Sequence, residues 1–239
     1  MSLLELRGVT KRFGGLQAVG NMAFAIEKGD LFGLIGPNGA GKTTVFNLIN
    51  GYFPLTSGQV LFKGERIDGL KPYEVCRRGL ARTFQVVKPL ARLTVLENVM
   101  VSAFCRTDHR DEARAMALEA TAFTEMEGWR DRLAGSLPLG MRKRLEMARA
   151  LATKPDLLLL DENFAGLNPA EVEKTITIVR KIHESGVTIL IIEHNMRVIM
   201  SISRKLLCMC YGEKISEGTP QEVANDPRVI EAYLGAAHA

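Results

Sequence analysis

Nine residues, GPNGAGKTT at 36–44, constrain the fold of this 239-residue chain more than any other stretch of it. They follow the apolar run LFGLIG and precede a helix-forming segment from about Lys42 to Gly51. That is GxxxxGK[ST] in the strand–loop–helix setting a phosphate loop needs. Glycines at 36, 39 and 41 let the backbone curl and approach an anion without a Cβ in the way. The helix behind them adds unpaired N–H groups and its positive dipole end. Lys42 is placed to reach the β- and γ-phosphates as a point charge, and the Thr43 hydroxyl to ligate Mg2+. The candidate nucleotide-binding residues are therefore Gly36, Pro37, Asn38, Gly39, Ala40, Gly41, Lys42, Thr43 and Thr44. The dinucleotide pattern GxGxxG is not met.

Around this loop, strand-like and helix-like segments alternate, which predicts an α/β fold with a mainly parallel sheet. Residues 3–35 read as short strands broken at Gly14-Gly15 and Lys28-Gly29-Asp30; a further strand is expected over 58–63 and a helix over 72–80. From Thr94 to about Thr153 the pattern is helix alone, with good formers in DEARAMALEATAF and GMRKRLEMARAL. Strand DLLLLDE, helix 170–185, strand VTILIIEH, helix 195–201 and strand KLLCMCY then follow.

Composition narrows the class. At 46% hydrophobic and 24% charged residues the chain reads as a soluble folded protein, and disordered or collagen-like readings fail. A net charge of +4 identifies no partner. Runs such as Leu157–Leu160 are far below the roughly 20 apolar residues of a membrane span, and MSLLELRG carries charge where an export signal would be apolar. Cys76, Cys105, Cys208 and Cys210 match no zinc or redox spacing and read as buried thiols.

Asp161 and Glu162 end an apolar strand, where parallel sheets bind ligands. One acid suits a Mg2+ shell and the other a general base that polarises water. His194 ends a second such strand. The guanine-selective element that TKPD at 153–156 resembles follows a core strand, whereas this one precedes DLLLLDE, so a GTPase reading fails. A small-molecule kinase would not account for the helical stretch followed by the Asp161-Glu162 strand and His194.

GPNGAGKTT, RTFQ, RKRLEMARAL, LLLLDE, FAGLNP and IIEH occur in the order seen in ATP-binding-cassette (ABC) ATPases, which the chain resembles along nearly its whole length. KRFGGLQAV, LTVLENV, AGLNP and the ending DPRVIEAYLG are similar to the ATP-binding subunits of bacterial branched-chain amino acid importers, the LivG-like group. The resemblance implies a P-loop NTPase fold of the ABC ATPase type, with a RecA-like core, an antiparallel β subdomain and a helical subdomain. The core and β subdomain would take about 1–85 and 154–239, the helical subdomain about 86–153. It also implies that Phe13 stacks on adenine, that Gln85 senses the γ-phosphate and joins Thr43 and Asp161 around Mg2+, and that His194 contacts the γ-phosphate. Lys42, Gln85, Glu162 and His194 form the implied catalytic set, with ATP and Mg2+ as nucleotide and cofactor.

In this family two ATPase subunits close head to tail, each covering the other's ATP with a signature loop of the LSGGQ or LSYGQ kind. Here that loop reads Leu137-Pro138-Leu139-Gly140-Met141. Pro138 lacks both a hydroxyl and an N–H, so a donor to phosphate is gone. A hydrogen bond to a charged group is worth about 1.5–3 kcal/mol, or about tenfold to a hundredfold in affinity. The expected assembly is therefore a heterodimer with a second ABC ATPase subunit, although a homodimer stays open. Two integral membrane permeases and, indirectly, a periplasmic binding protein complete it, with the chain peripheral on the cytoplasmic face of the inner membrane. Asn163, where a proline usually follows the glutamate, is a further departure. Urea or amide importers, lipopolysaccharide-transport ATPases and a soluble regulatory ATPase remain alternatives. Nucleic acid is not an expected partner: the segment between loop and acids is too short for the coiled coils of chromosome-associated members. The basic run Arg142-Lys143-Arg144 reads as an exposed helix face.

Overall fold

The computed structural model describes residues 2–84 and 88–236. In chain order these form β1 (Ser2–Phe13), β2 (Leu16–Glu27), β3 (Leu31–Ile35), α1 (Lys42–Ile49), β4 (Ser57–Phe62), β5 (Glu65–Arg66), α2 (Pro72–Arg77) and β6 (Leu80–Arg82). Helices α3 (Val95–Ala103), α4 (Arg110–Phe123) and α5 (Leu139–Leu151) follow, then β7 (Leu157–Asp161), α6 (Pro169–Glu184), β8 (Thr188–Ile192) and α7 (Met196–Ile202). The chain closes with β9 (Lys205–Cys210), β10 (Glu213–Gly218), α8 (Pro220–Ala224) and α9 (Pro227–Ala236). It divides into two compact units, one of Met1–Val75 with Thr188–Ala239 and one of Cys76–Val187.

The first unit holds an antiparallel sheet in the order β2-β1-β4-β5. It also holds the strands β10-β9-β3-β8, with β3 parallel to both β9 and β8 and β10 antiparallel to β9. Every residue of LFGLI in β3 and TILII in β8 is buried, as strands covered on both faces require. Phe24 of β2 stacks on Phe32 of β3 with ring centroids 5.6 Å apart.

The strands expected over 3–35 are broken where the sequence places the breaks, at Gly14-Gly15 and at Lys28-Gly29-Asp30, and β1 and β2 run to 12 residues each rather than being short. Gly14-Gly15 is their hairpin turn, since Phe13 pairs with Leu16. Register shifts interrupt the pairing at several points, and bulges of this kind bend a strand without ending it.

In the second unit β6 and β7 pair in parallel. Helices α3, α4 and α5 close around Val95, Val99, Ala117, Met126, Leu145 and Ala148. A Thr94–Glu97 capping box starts α3. Asn98, fully buried, accepts from Leu90 N and donates to the carbonyls of Leu90, Leu93 and Thr94, which fixes the chain entering that helix. Among the described residues, no helix is long and apolar enough to cross a membrane.

Candidate functional site

Strand β3 feeds directly into the loop at Gly36. The backbone there has φ +146°, and a Cβ would collide with the Met209 carbonyl oxygen of β9. Gly41, at φ +100°, is hemmed in the same way by the Ala18 carbonyl, 2.5 Å from where its Cβ would lie. Both positions demand glycine. The Lys42 side chain turns back inside this curl, and its ammonium donates to the carbonyls of Gly36 at 2.7 Å and Pro37 at 2.9 Å. Lys42 is only 5% exposed, so these acceptors offset part of the cost of burying its charge.

Three helices, α3, α6 and α8, carry a full capping box at their N-terminus. Helix α1 is different: its N-cap is Gly41, no side chain caps it, and its first turn holds no acid. A helix start of this kind, with its positive dipole end, suits an anion. Asn38, Gly39 and Thr43 are exposed at this end, while Pro37, Gly41 and Thr44 are half-buried and Ala40 is buried.

Beside the loop lies a cleft of about 780 Å³, lined by residues 36–40 together with His194, Tyr211, Arg228 and Tyr233. His194, exposed just beyond β8, is thus brought to the same cleft as the loop. Phe13 is not part of this lining. It lies on β1, 41% exposed, edge-on to Phe53 at 5.2 Å and beneath the Lys11 ammonium at 4.8 Å.

Sequence reasoning missed Tyr233. Its hydroxyl, on α9, accepts a hydrogen bond from the Gly36 N–H at 2.9 Å. Burial pushes the phenol up to about 12, with the neighbouring Cys208 adding to the rise and the Gly36 N–H opposing it.

The acids belong to the second unit. Asp161 is 1% exposed, and its Oδ2 accepts from Arg82 Nη2 at 2.7 Å, a bidding of charge against charge inside the protein. Glu162, 9% exposed, has φ +50°, a left-handed backbone that a residue with a side chain rarely adopts. Thr83 reaches both its neighbours: the hydroxyl donates to Asn163 Oδ1 at 2.6 Å and accepts from the Asp161 N–H at 3.2 Å. The departure at Asn163 therefore has a partner in the buried Thr83, just beyond β6. Gln85 lies outside the described residues. Among the described residues, no group of three or more His, Cys, Asp or Glu is gathered to hold a metal. Magnesium needs no such cage, because it is commonly held by one or two protein oxygens plus substrate phosphates. The hydroxyl of Thr43 and the carboxylate of Asp161 are donors of that hard-oxygen kind.

In the segment Leu137–Met141, Leu137 and Met141 pack on the helical core of the second unit, and Pro138 occupies the N-cap of α5 with no side-chain cap. The expectation of an exposed basic face at Arg142-Lys143-Arg144 is overturned. Lys143 and Arg144 are buried, and Arg142 is half-buried. Each cation finds a tertiary acceptor: Arg142 donates to the carbonyls of Leu137 and Gly135, Lys143 to the carbonyl of Glu162 at 2.7 Å, and Arg144 lies 3.7 Å from the Glu125 carboxylate.

The model of the ABC transporter family matches residues 19–165, and one for branched-chain amino acid ATP-binding cassette transporters matches 213–239. The chain is 39% identical to the high-affinity branched-chain amino acid transport ATP-binding protein BraF of Pseudomonas aeruginosa, covering 98% of each protein. It is 38% identical to LivG of Escherichia coli strain K12, again over 98% of each. Among solved structures, the ADP conformation of MJ1267, an ATP-binding cassette of an ABC transporter, superposes with a TM-score of 0.89 at 32% identity, covering 98% of this chain and 99% of that one. A dimeric structure of the bacterial ABC transporter cassette MJ0796 superposes at 0.82 with 27% identity, covering 91% and 98%.

Proposed function

The chain belongs to the ABC transporter family of ATP-binding cassettes, and from that membership we propose that it is the motor subunit of an importer for branched-chain amino acids. It is an ATP-binding, ATP-hydrolysing subunit. The finer reading seats it on the cytoplasmic face of the membrane against two permease subunits, docked through the helical subdomain at about 86–153, and fed indirectly by a periplasmic binding protein.

The observation that carries the reading is the loop at 36–44: three left-handed glycines, a lysine ammonium folded inside the curl, and an uncapped helix behind it. These groups converge on a polyphosphate. Lys42 and the leading N–H groups of α1 neutralise phosphate charge, and His194 donates to the γ-phosphoryl oxygens as their charge develops. Phe13 offers an aromatic face to the adenine. Glu162 accepts a proton from the attacking water, and Gln85 links the γ-phosphate to the helical subdomain. Thr43, Gln85 and Asp161 are the residues that would hold Mg2+, which when bound neutralises the phosphate oxygens and polarises the γ-phosphoryl group.

The partner is a second, different cassette subunit. Pro138 at the N-cap of α5 and Met141 packed in the helical core support this, because neither offers a donor to a phosphate. The inward-turned basic run supports the absence of a nucleic-acid partner.

The test is Mg-ATP calorimetry on the purified chain, followed by turnover counts with and without the second subunit. Binding by the chain alone and hydrolysis only on mixing are the expected results. No detectable binding refutes the nucleotide site, and robust cooperative hydrolysis by the chain alone refutes the heterodimer. Uptake by reconstituted vesicles of leucine, isoleucine and valine, set against urea and short amides, tests the substrate.

A further inference from the structure

We propose that Lys143 is a positioning residue for hydrolysis: its buried ammonium holds the backbone of Glu162 in its left-handed conformation and so aims that carboxylate. The inference rests on the reading of Glu162 as general base. It starts from a residue whose charge, by sequence pattern alone, belongs in solvent.

Glu162 is the position where β7 ends and the chain must turn. Its φ of +50° is one that glycine adopts freely and glutamate does not. A residue that must carry a carboxylate cannot be glycine, so the surrounding structure has to enforce the turn. Restraints act on both sides of it. The Thr83 hydroxyl fixes Asp161 through its N–H and Asn163 through its side-chain oxygen. The Glu162 carbonyl takes the Lys143 ammonium at 2.7 Å and the Ala165 N–H at 3.3 Å. Rotating the Glu162 backbone toward an ordinary right-handed or extended conformation re-aims that carbonyl. The ammonium would then lose an acceptor while 5% exposed, a cost that opposes the rotation.

Lys143 is itself held. It lies near the start of α5, and its neighbour Arg142 bolts that same turn to the carbonyls of Leu137 at 2.7 Å and Gly135 at 3.0 Å. The helix start is fixed to the loop before it by one cation and to the catalytic turn by the next. A shift of residues 137–141 is therefore carried into the Glu162 peptide through a helix that has little freedom to absorb it.

The experiment compares K143M, which keeps the aliphatic stem and removes the donor, with K143R, which keeps a buried cation, in the assembled transporter and beside E162Q. The expected result is a fall in kcat of about tenfold to a hundredfold for K143M, the scale of a misplaced catalytic group, with KM for ATP and calorimetric ATP affinity within about twofold of wild type. K143R recovers most of the lost kcat. Hydrogen exchange at the Ala165 amide accelerates about tenfold in K143M as the turn loosens. A kcat within about twofold of wild type in K143M overturns the proposal, as does an equal loss of kcat and ATP affinity, the mark of a merely structural role. If K143M does not fold, K143L, which also lacks a donor, carries the test, and an unchanged kcat there overturns it too. Turnover surviving in E162Q refutes the general-base reading separately, whatever Lys143 does.

Discussion

Replacing Tyr233 with Phe deletes one oxygen and leaves the ring of α9 in place. The oxygen accepts from the Gly36 N–H at 2.9 Å, so the substitution strips the first donor of the phosphate loop of its partner. An orphaned buried N–H costs about 1–3 kcal/mol. Tyr233 also lines the 780 Å³ cleft, where water can take over part of the bond, so the lower end applies, about 1 kcal/mol. If the loss falls on the loop, the calorimetric Kd for Mg-ATP rises about fivefold while kcat at saturation stays put. If it falls on the whole fold, Tm drops by about 2–4 °C instead. Alkaline titration separates the phenol from the ring. Burial raises the folded-state value to about 12, so the neutral form is what the native state favours. That contribution is complete below the unfolded value of about 10 and is lost as pH rises through about 12, so the stability gap between wild type and Y233F narrows across that window. A variant with Kd and Tm both unchanged, and a gap that ignores alkaline pH, refutes the reasoning.

Three further outcomes follow from the same structure. Arg82→Met leaves the Asp161 carboxylate without the cation bonded to it at 2.7 Å, and urea unfolding should register a loss of about 3–5 kcal/mol; a loss below about 1 kcal/mol would mean that the pair is not held in the folded state. Thr83→Val and Asn163→Ala should each destabilise by about 1–2 kcal/mol and the pair by less than the sum, because they share the 2.6 Å bond; additive effects in the double-mutant cycle would exclude the contact. Burial pushes the Cys208 thiol up to about 12 and the Cys76 thiol to about 11, so both should alkylate at pH 8 at least about tenfold more slowly than in urea, as peptide mapping of the modified chain would reveal.

What could be read from the sequence was local. A phosphate loop announces itself because its glycines, lysine and helix start are contiguous, and the buried strands β3, β7 and β8 because the short apolar runs LFGLI, LLLL and ILII leave little else. The ends of β1 and β2 were legible from the turn residues Gly14-Gly15 and Lys28-Gly29-Asp30, whereas their full 12-residue length was not, because bulges scramble the alternation that marks a strand. Tyr233 was invisible for a different reason: its partner is 197 residues away, and nothing in AYLG says which backbone N–H its oxygen will meet. The basic run at 142–144 misled because the usual place for a cation on a helix is solvent. Backbone carbonyls, which have no sequence signature, reversed that for Arg142 and Lys143.

The two turns held by distant side chains, Gly36 by Tyr233 and Glu162 by Lys143, solve one problem under different constraints. At Gly36 the left-handed backbone carries no steric cost, because only N–H and C=O groups are needed there. A neutral phenol, worth about 0.5–1.5 kcal/mol, is enough to fix it. At Glu162 the side chain assigned to chemistry forbids glycine, and the left-handed conformation costs about 1–2 kcal/mol. A charge-assisted bond of about 1.5–3 kcal/mol outweighs that by a narrow margin, where a neutral one would roughly break even. This explains why an ammonium is buried near the start of α5 when a hydroxyl or amide would have been cheaper to desolvate. It also locates the sensitivity of the protein: the loop at 36–44 tolerates the loss of its outside support, whereas the turn at 162 has almost none to spare.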